Sequence, residues 1–203
     1  MLDFEDQYYN DDIKVIVGID EAGRGPLCGP VVAACCILKK GYKNENINDS
    51  KKISEKKRDY IYKEIIENCV DYGIGIVDAH RIDEINILNA TKEAMIMALN
   101  NLSIGYDLVL VDAVKLDIDK PLIPIIKGDA KCECIAAASI IAKVTRDNIL
   151  KEYAKKYPEY GFEKHKGYGT KAHIEAIHKF GVIEGWHRKT FEPIKSIISS
   201  KKY

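Results

Sequence analysis

The chain has 203 residues, 46% hydrophobic and 31% charged, a composition that fits one mid-sized globular domain with its own core. Basic and acidic residues number 31 each, so the zero net charge neither supports nor excludes a nucleic-acid partner. The acidic start MLDFEDQYYNDD has no apolar core, and the apolar runs are too short to cross a bilayer. We therefore expect no signal peptide, no membrane contact and a cytoplasmic location. None of the six cysteines has zinc-site spacing, which argues against structural zinc.

The first half of the chain alternates strands and helices. Residues 1–12 are expected to form a flexible arm. The β-branched run 14–20 predicts a buried strand, and the run 31–38 predicts the next strand, reached through a Gly/Pro-rich turn. After a polar loop, Ser54 is a plausible N-cap for an amphipathic helix. A third strand is predicted at 71–79, followed by a second amphipathic helix through Leu102.

The second half continues this pattern and then changes. Residues 107–113 predict a strand that ends in a carboxylate, and 122–130 repeat this arrangement. A long helix is expected from Lys131 to about Tyr157, then a Gly-punctuated loop, a short helix at 171–180 and a polar tail. The alternation predicts an α/β layered fold. We divide it into a core at 13–157 and a C-terminal helical segment at 158–203.

Three of the predicted strands end in acid, in the sequences VIVGIDE, LVLVDA and PIIKGDA. Because sites gather at strand ends in open α/β sheets, Asp20, Asp112 and Asp129 are candidates for one site. Glu21 follows Asp20 directly, and adjacent strand residues point to opposite faces. Both carboxylates serve one site only if the strand breaks there, which Gly23 and the following glycine would make easy.

A cluster of four carboxylates repels itself unless a cation lies among them, and oxygen ligands suit Mg²⁺ or Mn²⁺. Taken singly, Asp112 is equally explained as the start of a loop, and Asp129 as a helix cap. A dinucleotide-binding turn is disfavoured, because a strand-like run and not a helix follows the glycines. The adjacent acids before Gly-Arg-Gly are the feature hardest to explain as scaffold.

Several motifs occur together in order: GIDEAGRGPLCGPVV, DSKKIS, VDA, KGDA, IAAASIIAKVTRD and HKGYGT. Together they closely resemble bacterial ribonuclease HII (type 2 ribonuclease H), over about residues 15–191. The resemblance implies a ribonuclease-H-like three-layer α/β/α core with a mixed sheet, plus a small C-terminal helical segment. It implies an endoribonuclease that cleaves the RNA strand of RNA–DNA hybrids and nicks 5′ of single ribonucleotides in duplex DNA, using two Mg²⁺ or Mn²⁺ ions.

The resemblance also assigns roles to residues. The four catalytic, metal-binding acids of the family match Asp20, Glu21, Asp112 and Asp129. The turn that reads the 2′-hydroxyl through backbone groups and the tyrosine that stacks on the next sugar match the residues Gly23, Arg24, Gly25 and Tyr168. Further contacts with the nucleic acid are expected from Lys51, Ser139 and Lys143. Arg146 shares a helix face with the last two, and that face is expected to lie along the phosphates.

Three alternatives stay open at this level. The sister family, ribonuclease HIII, usually has Gly-Lys-Gly, a glutamate as fourth acid and an extra N-terminal domain; Arg24 and Asp129 argue against it. A catalytically silent hybrid-binding protein would lack at least one acid. A metal-dependent enzyme for small phosphorylated molecules fits poorly with Tyr168 and the spread of basic residues. Nothing in the sequence requires more than a monomer.

Overall fold

A computed structural model describes residues 4–49 and 53–200 and contains a mixed five-stranded sheet. The strands are β1 (Ile16–Ala22), β2 (Val31–Ile37), β3 (Asp71–Val77), β4 (Leu108–Asp112) and β5 (Leu122–Ile125). Their order is β3-β2-β1-β4-β5. The pairs β1–β2 and β2–β3 are antiparallel, whereas β1–β4 and β4–β5 are parallel. The predicted α/β fold with a mixed sheet is confirmed.

Six α-helices complete the described part of the chain. They are α1 (Glu55–Asn68), α2 (Ala79–Asn100), α3 (Glu133–Lys156), α4 (Phe162–His165), α5 (Lys171–Phe180) and α6 (Ile194–Ser200). Ser54 caps α1 as predicted, since its hydroxyl accepts a hydrogen bond from the N–H of Lys57. Helix α2 is kinked at Asn86, where φ is +68°. Among the described residues, no helix is long and apolar enough to span a membrane.

The sheet separates two apolar cores because its side chains alternate between faces. Ile16 of β1 and Leu110 of β4 pack on one face, beneath α1 and α3. Ile19 of β1 and Val111 of β4 pack on the other face, beneath α2. The result is a three-layer α/β/α core, as predicted. A third cluster joins the end of α3 to α4, α5 and α6 and contains Trp186, whose ring stacks on Tyr153 at 3.4 Å between centroids.

Gly18 lets α3 lie directly on β1. A Cβ atom at this position would stand 2.3 Å from the carbonyl carbon of Cys134 and 2.4 Å from the amide nitrogen of Ile135. No side chain fits in that space, so only glycine permits this approach. The contact brings the first turns of α3 over the strand that carries Asp20 and Glu21.

Three sequence-based expectations need correction. Strand β1 does not break at the adjacent acids, because Asp20 and Glu21 stay paired with Ala34 and Ala33 of β2. Asp129 does not end a strand. It lies in a 3₁₀ turn, Gly128–Ala130, after Lys127 has turned the chain with a φ of +56°. The tail after the helix at 171–180 is not simply polar, because Trp186 and the apolar side of α6 are buried.

Residues 4–8, part of the segment 1–12 that was expected to form a flexible arm, pack against α3. Residues Phe4–Tyr8 form a 3₁₀ turn in which Glu5 is buried. The Glu5 carboxylate accepts hydrogen bonds from the N–H and the thiol of Cys134, in the first turn of α3. Burial raises the pKa of Glu5 to about 7. Part of the predicted arm thus satisfies a free N–H at a helix start.

A fully buried arginine, Arg188, organises the glycine turn between β1 and β2. Its guanidinium donates hydrogen bonds to the carbonyls of Gly23 (2.6 Å), Arg24 (3.0 Å), Pro26 (2.8 Å) and Gly29 (2.9 and 3.1 Å). Desolvation lowers the pKa of Arg188 to about 9. Because main-chain oxygens take up all its donor groups, this side chain fixes which way the turn's carbonyls point.

A second buried arginine, Arg146 of α3, ties the same turn to the C-terminal segment. It donates to the carbonyls of Cys28 (3.0 Å) and Pro30 (3.0 Å) and to that of Lys166 (3.1 Å). Only 1% of Arg146 is exposed, although it lines a cavity together with Ser139 and Lys143. Its expected place along the phosphates remains a prediction. The side of α3 that carries Arg146 faces the protein interior, where main-chain carbonyls accept hydrogen bonds from the guanidinium.

Replacing Gly18 with alanine should lower the free energy of unfolding by about 1–3 kcal/mol, because the new methyl group forces β1 and α3 apart. Urea denaturation followed by circular dichroism measures this change. Gly105→Ala is the matched control, since a Cβ there meets no atom within 4 Å. Equal stability of the two variants would contradict the close approach.

Replacing Arg188 with leucine should lower the free energy of unfolding by about 3 kcal/mol or more, because several buried carbonyls lose the guanidinium that donates to them. The same denaturation experiment applies. Arg81→Leu is the control: this arginine pairs with Glu84 and Glu93 at the surface, where such pairs contribute about 1 kcal/mol or less. A similar small loss for both variants would show that Arg188 does not organise the turn.

Candidate active site

Two central strands bring three acidic residues to the same end of the sheet. The parallel pairing of β1 with β4 ends at Ile19 and Val111, so Asp20 and Asp112 follow on neighbouring strands at the same end. Glu21 comes next on β1, which still pairs with β2 on its other edge. The charge of Asp112 acts on both Asp20 and Glu21. Asp20, Glu21 and Asp112 therefore lie at the same end of neighbouring strands without a break in β1.

Asp20 is the most enclosed of the three, with 6% of its surface exposed. Burial raises its pKa well above the usual range, and the neighbouring charge of Glu21 raises it further. Two hydrogen bonds oppose this rise. The hydroxyl of Ser139 on α3 donates to the carboxylate, and the N–H of Glu21 donates to Oδ1 at 2.7 Å. Ser139 thus contacts a catalytic candidate directly.

Glu21 is held by one cation and is otherwise short of partners. Arg24 donates to its Oε1 at 3.2 Å, across the glycine turn. Its Oε2 is buried and has no hydrogen-bond partner among the described residues. Burial raises the pKa of Glu21 as well. Arg24 therefore pairs with Glu21, whereas the sequence analysis assigned it only to the turn expected to read the 2′-hydroxyl.

The fourth acid joins the site through the backbone. The N–H of Gly128 donates to Oδ1 of Asp112 at 2.9 Å, which fastens the 3₁₀ turn to the end of β4. Asp129 is the next residue, and only 8% of it is exposed. The structure thus links the motifs VDA and KGDA, and it places Asp129 one residue from the Asp112 contact.

These residues fit a divalent metal ion. All four donors are carboxylates, the ligand type that hard cations such as Mg²⁺ and Mn²⁺ prefer. An oxygen of Glu21 is buried without a partner, and the pKa values of Asp20 and Glu21 are both raised. A cation among these oxygens would relieve the repulsion and supply the missing partner.

The glycine turn meets the tyrosine loop beside the acids. A Cβ on Gly25 would stand 3.4 Å from Cε1 of Tyr168, so the tyrosine ring lies against the backbone of the turn. Gly23 has a φ of +99°, and a Cβ there would collide with Arg146. Tyr168 keeps 51% of its surface exposed. Two motifs more than 140 positions apart in the sequence thus form one surface.

A cavity of about 380 Å³ opens next to Glu21. Its polar lining includes Arg58, Ser139 and Lys143, together with the ring of Tyr168. The predicted contacts Ser139 and Lys143 are therefore brought together with the acids. Lys51 lies outside the described residues. The sequence offers Arg58 only as one of three basic residues at the start of α1, with Lys56 and Lys57, and the structure brings Arg58 into the cavity.

A buried carboxylate supports the two cations of this cavity. Asp147 has 3% of its surface exposed and pairs with Arg58 at 3.5 Å and with Lys143. Desolvation lowers the pKa of Lys143, and its bond to Asp147 opposes that effect. Sequence reasoning missed Asp147, although it lies four residues after Lys143 and so on the same helix face.

Comparison with curated proteins gives a consistent result. The family model described as ribonuclease HII matches residues 17–193. A ribonuclease HII of Bacillus cytotoxicus is 54% identical over 201 residues, which is 99% of this chain and 77% of the relative. A ribonuclease HII of Clostridioides difficile is 55% identical over 196 residues, covering 96% of this chain and 76% of the relative.

Solved structures agree. The ribonuclease H2 of Pyrococcus horikoshii OT3 superposes with a TM-score of 0.80 at 29% identity, covering 93% of this chain and all of that one. A ribonuclease HIII, Bst-RNase HIII, crystallised with Mn²⁺, superposes at 0.70 and 17% identity over 95% of this chain and 72% of its own; at that identity it shows the fold alone. The chain belongs to the ribonuclease HII family, the type 2 ribonuclease H endoribonucleases.

Proposed function

We propose that this enzyme cleaves the RNA strand of RNA–DNA hybrids and nicks duplex DNA on the 5′ side of single embedded ribonucleotides. Its products would carry 3′-hydroxyl and 5′-phosphate ends. The observation that carries this proposal is the contact of Tyr168 with Gly25, directly beside the acids. Because the ring of Tyr168 lies against the backbone of the turn, this contact supports a turn that approaches the sugar of the ribonucleotide and a ring that stacks on the sugar of the next nucleotide.

The four acids Asp20, Glu21, Asp112 and Asp129 would hold two Mg²⁺ or Mn²⁺ ions. Such ions supply an activated water and stabilise the charge that develops on the phosphate during in-line attack. The Mn²⁺ complex of Bst-RNase HIII, a protein of the same fold, supports divalent metal dependence. Ser139 assists by donating to Asp20, which favours the ionised carboxylate that a metal requires.

Recognition of the ribonucleotide falls to the turn of Gly23, Arg24 and Gly25. Distinguishing RNA from DNA at one position requires a contact with the 2′-hydroxyl. Because Arg188 engages the carbonyls of Gly23 and Arg24, those oxygens point into the protein. The tyrosine ring of Tyr168 would stack on the sugar that follows the ribonucleotide and favour one that lacks a 2′-hydroxyl.

The cavity beside Glu21 would take a backbone phosphate. Arg58 and Lys143 supply positive charge there, and Asp147 holds both of them. Phosphate contacts of this kind fix the register of a nucleic acid and carry no sequence information. Lys51, in the motif DSKKIS, remains a predicted contact. That the protein is monomeric and that it is cytoplasmic also remain predictions.

A silent hybrid-binding protein is the second candidate. All four acids are present, and three of them act on each other electrostatically, which a protein that only binds a polyanion has no need to maintain. The raised pKa values of Asp20 and Glu21 favour an enzyme, because perturbed carboxylates of this kind gather at active sites.

Asp112→Asn should reduce nicking by about 10²-fold or more, since it removes a charge from the acid cluster. The assay uses an end-labelled DNA duplex with one ribonucleotide, with Mg²⁺, Mn²⁺ or chelator. Asp117→Asn, an exposed change in the loop after β4, is the control and should keep full activity. Extension of the product by a DNA polymerase identifies the 3′-hydroxyl end. A 2′,3′-cyclic phosphate, or duplex binding without nicking, would overturn the proposed function.

Asp147→Asn should raise KM by about three- to tenfold with little change in kcat, because Arg58 and Lys143 lose the group that aims them. Electrostatics alone predicts the opposite sign, since removing a negative charge strengthens attraction to a polyanion. Asp119→Asn, an exposed change of equal charge, measures that general effect. A KM that falls in both variants would show that Asp147 does not position the cavity's cations.

A further inference from the structure

Two buried histidines form a hydrogen-bonded chain that ends on the backbone of Tyr168. Nδ1 of His187 accepts a hydrogen bond from the N–H of Ile183 at 2.8 Å. The two Nε2 atoms of His187 and His173 lie 3.2 Å apart. Nδ1 of His173 lies 2.9 Å from the carbonyl oxygen of Tyr168. At most 1% of either histidine is exposed, so water does not compete for these bonds.

The two ends of this chain fix every proton in it. A backbone N–H only donates, so His187 must carry its single proton on Nε2 and donate to His173. A carbonyl only accepts, so His173 must carry its proton on Nδ1 and accept at Nε2. The two requirements agree at the bond between the rings, where Nε2 of His187 donates and Nε2 of His173 accepts. Desolvation lowers the pKa of each ring to about 4, which keeps both rings neutral at physiological pH.

The same arrangement argues against a metal ion at this place. The thiol of Cys28 and the ring nitrogens of His173 and His187 lie within 4.8 Å of one another, a donor set that suits zinc. However, Nε2 of His187 carries the proton and has no lone pair to offer while its Nδ1 accepts from Ile183. In the absence of a metal ion, burial raises the pKa of the Cys28 thiol to about 12. The cluster is a set of neutral hydrogen-bonded groups.

A third histidine holds the same loop in the same way. His165 accepts from the N–H of Gly167 at Nδ1 (3.2 Å), so its Nε2 donates to the carbonyl of Tyr160 (2.8 Å). Its ring stacks on that of His173 at 4.3 Å between centroids. The loop is therefore clamped on both sides of Tyr168, while the ring of Tyr168 stays exposed against Gly25.

We propose that His173 and His187 are positioning residues for Tyr168: their chain of fixed protons holds its carbonyl and so sets the ring against the glycine turn. The inference rests on the proposed reading of the substrate sugar by Tyr168. His187 directly precedes Arg188, which holds the carbonyls of the glycine turn. One dipeptide thus fixes both elements that read the ribonucleotide and its neighbour.

The proton positions are measured first, on the wild type. Two-bond ¹H–¹⁵N correlation spectra of ¹⁵N-histidine protein should show His173 with its proton on Nδ1 and His187 with its proton on Nε2. The opposite tautomer at either ring would overturn the proposal. Stoichiometric perturbation of both rings by added Zn²⁺ would overturn it too, in favour of a metal site.

The effect on substrate choice is measured with two duplexes cleaved at the same position. In one the next nucleotide is DNA, and in the other it is RNA. The ratio to compare is kcat/KM for the duplex with DNA at the next position divided by kcat/KM for the duplex with RNA there. His173→Leu should lower this ratio by about tenfold, because the Tyr168 carbonyl loses its donor. His173→Asn, whose amide N–H₂ stands where Nδ1–H stood, should restore the ratio to within about threefold. His178→Leu, an exposed histidine on the same helix, is the control and should leave the ratio unchanged.

The dependence on Tyr168 is tested by a double-mutant cycle. In a Tyr168→Ala background, His173→Leu should change the ratio no further. An equal change in both backgrounds, or an unchanged ratio in folded His173→Leu, would overturn the positioning role. If the wild type does not distinguish the two duplexes, the proposed reading by Tyr168 fails, and with it this role; correct tautomers would then show a chain that serves structure alone.

Discussion

The repulsion among buried carboxylates is the constraint on which the rest of this structure depends. Asp20 lies inside the protein between Glu21 and Asp112, and burial and like charge both disfavour its ionised form. The sheet and α3 have to supply the rigidity that keeps these groups together. The close approach of α3 at Gly18 does so, and it also brings Ser139 to Asp20.

The surface formed by the glycine turn and Tyr168 is held in a different way, by buried donors whose hydrogen bonds are all accepted by main-chain carbonyls. Arg188 and Arg146 bind the glycine turn, and Arg146 and His173 bind the tyrosine loop. Each of these groups turns carbonyls inward. Since the glycines have no side chains to anchor them, their conformation depends on such donors. Rigid support of this kind is what the proposed recognition of a single hydroxyl group requires.

Much of the fold was predictable because its signals are local. The strand runs, the Ser54 cap and the helix at 171–180 follow from hydrophobic pattern and capping chemistry, and the structure has them. The errors arose where tertiary pairing prevails over local pattern. β1 continues past Asp20 because β2 pairs with it there, and Phe4–Tyr8 packs on α3 because Glu5 accepts a hydrogen bond from the N–H of Cys134. No local pattern reveals such distant partners.

The sequence by itself determined which residues are proposed to carry the chemistry: the four acids, the glycine turn and Tyr168 lie in contiguous motifs, and contiguous motifs are what the resemblance to ribonuclease HII rests on. Only the tertiary structure decided how these parts are held. Arg188 acts on Arg24 across 164 positions, and Asp147 aims Arg58 across 89. An arginine bound to main-chain carbonyls leaves no pattern in the sequence, because every residue carries the same carbonyl group. The proton order in the histidine chain is likewise set by two backbone groups that only the fold brings within reach.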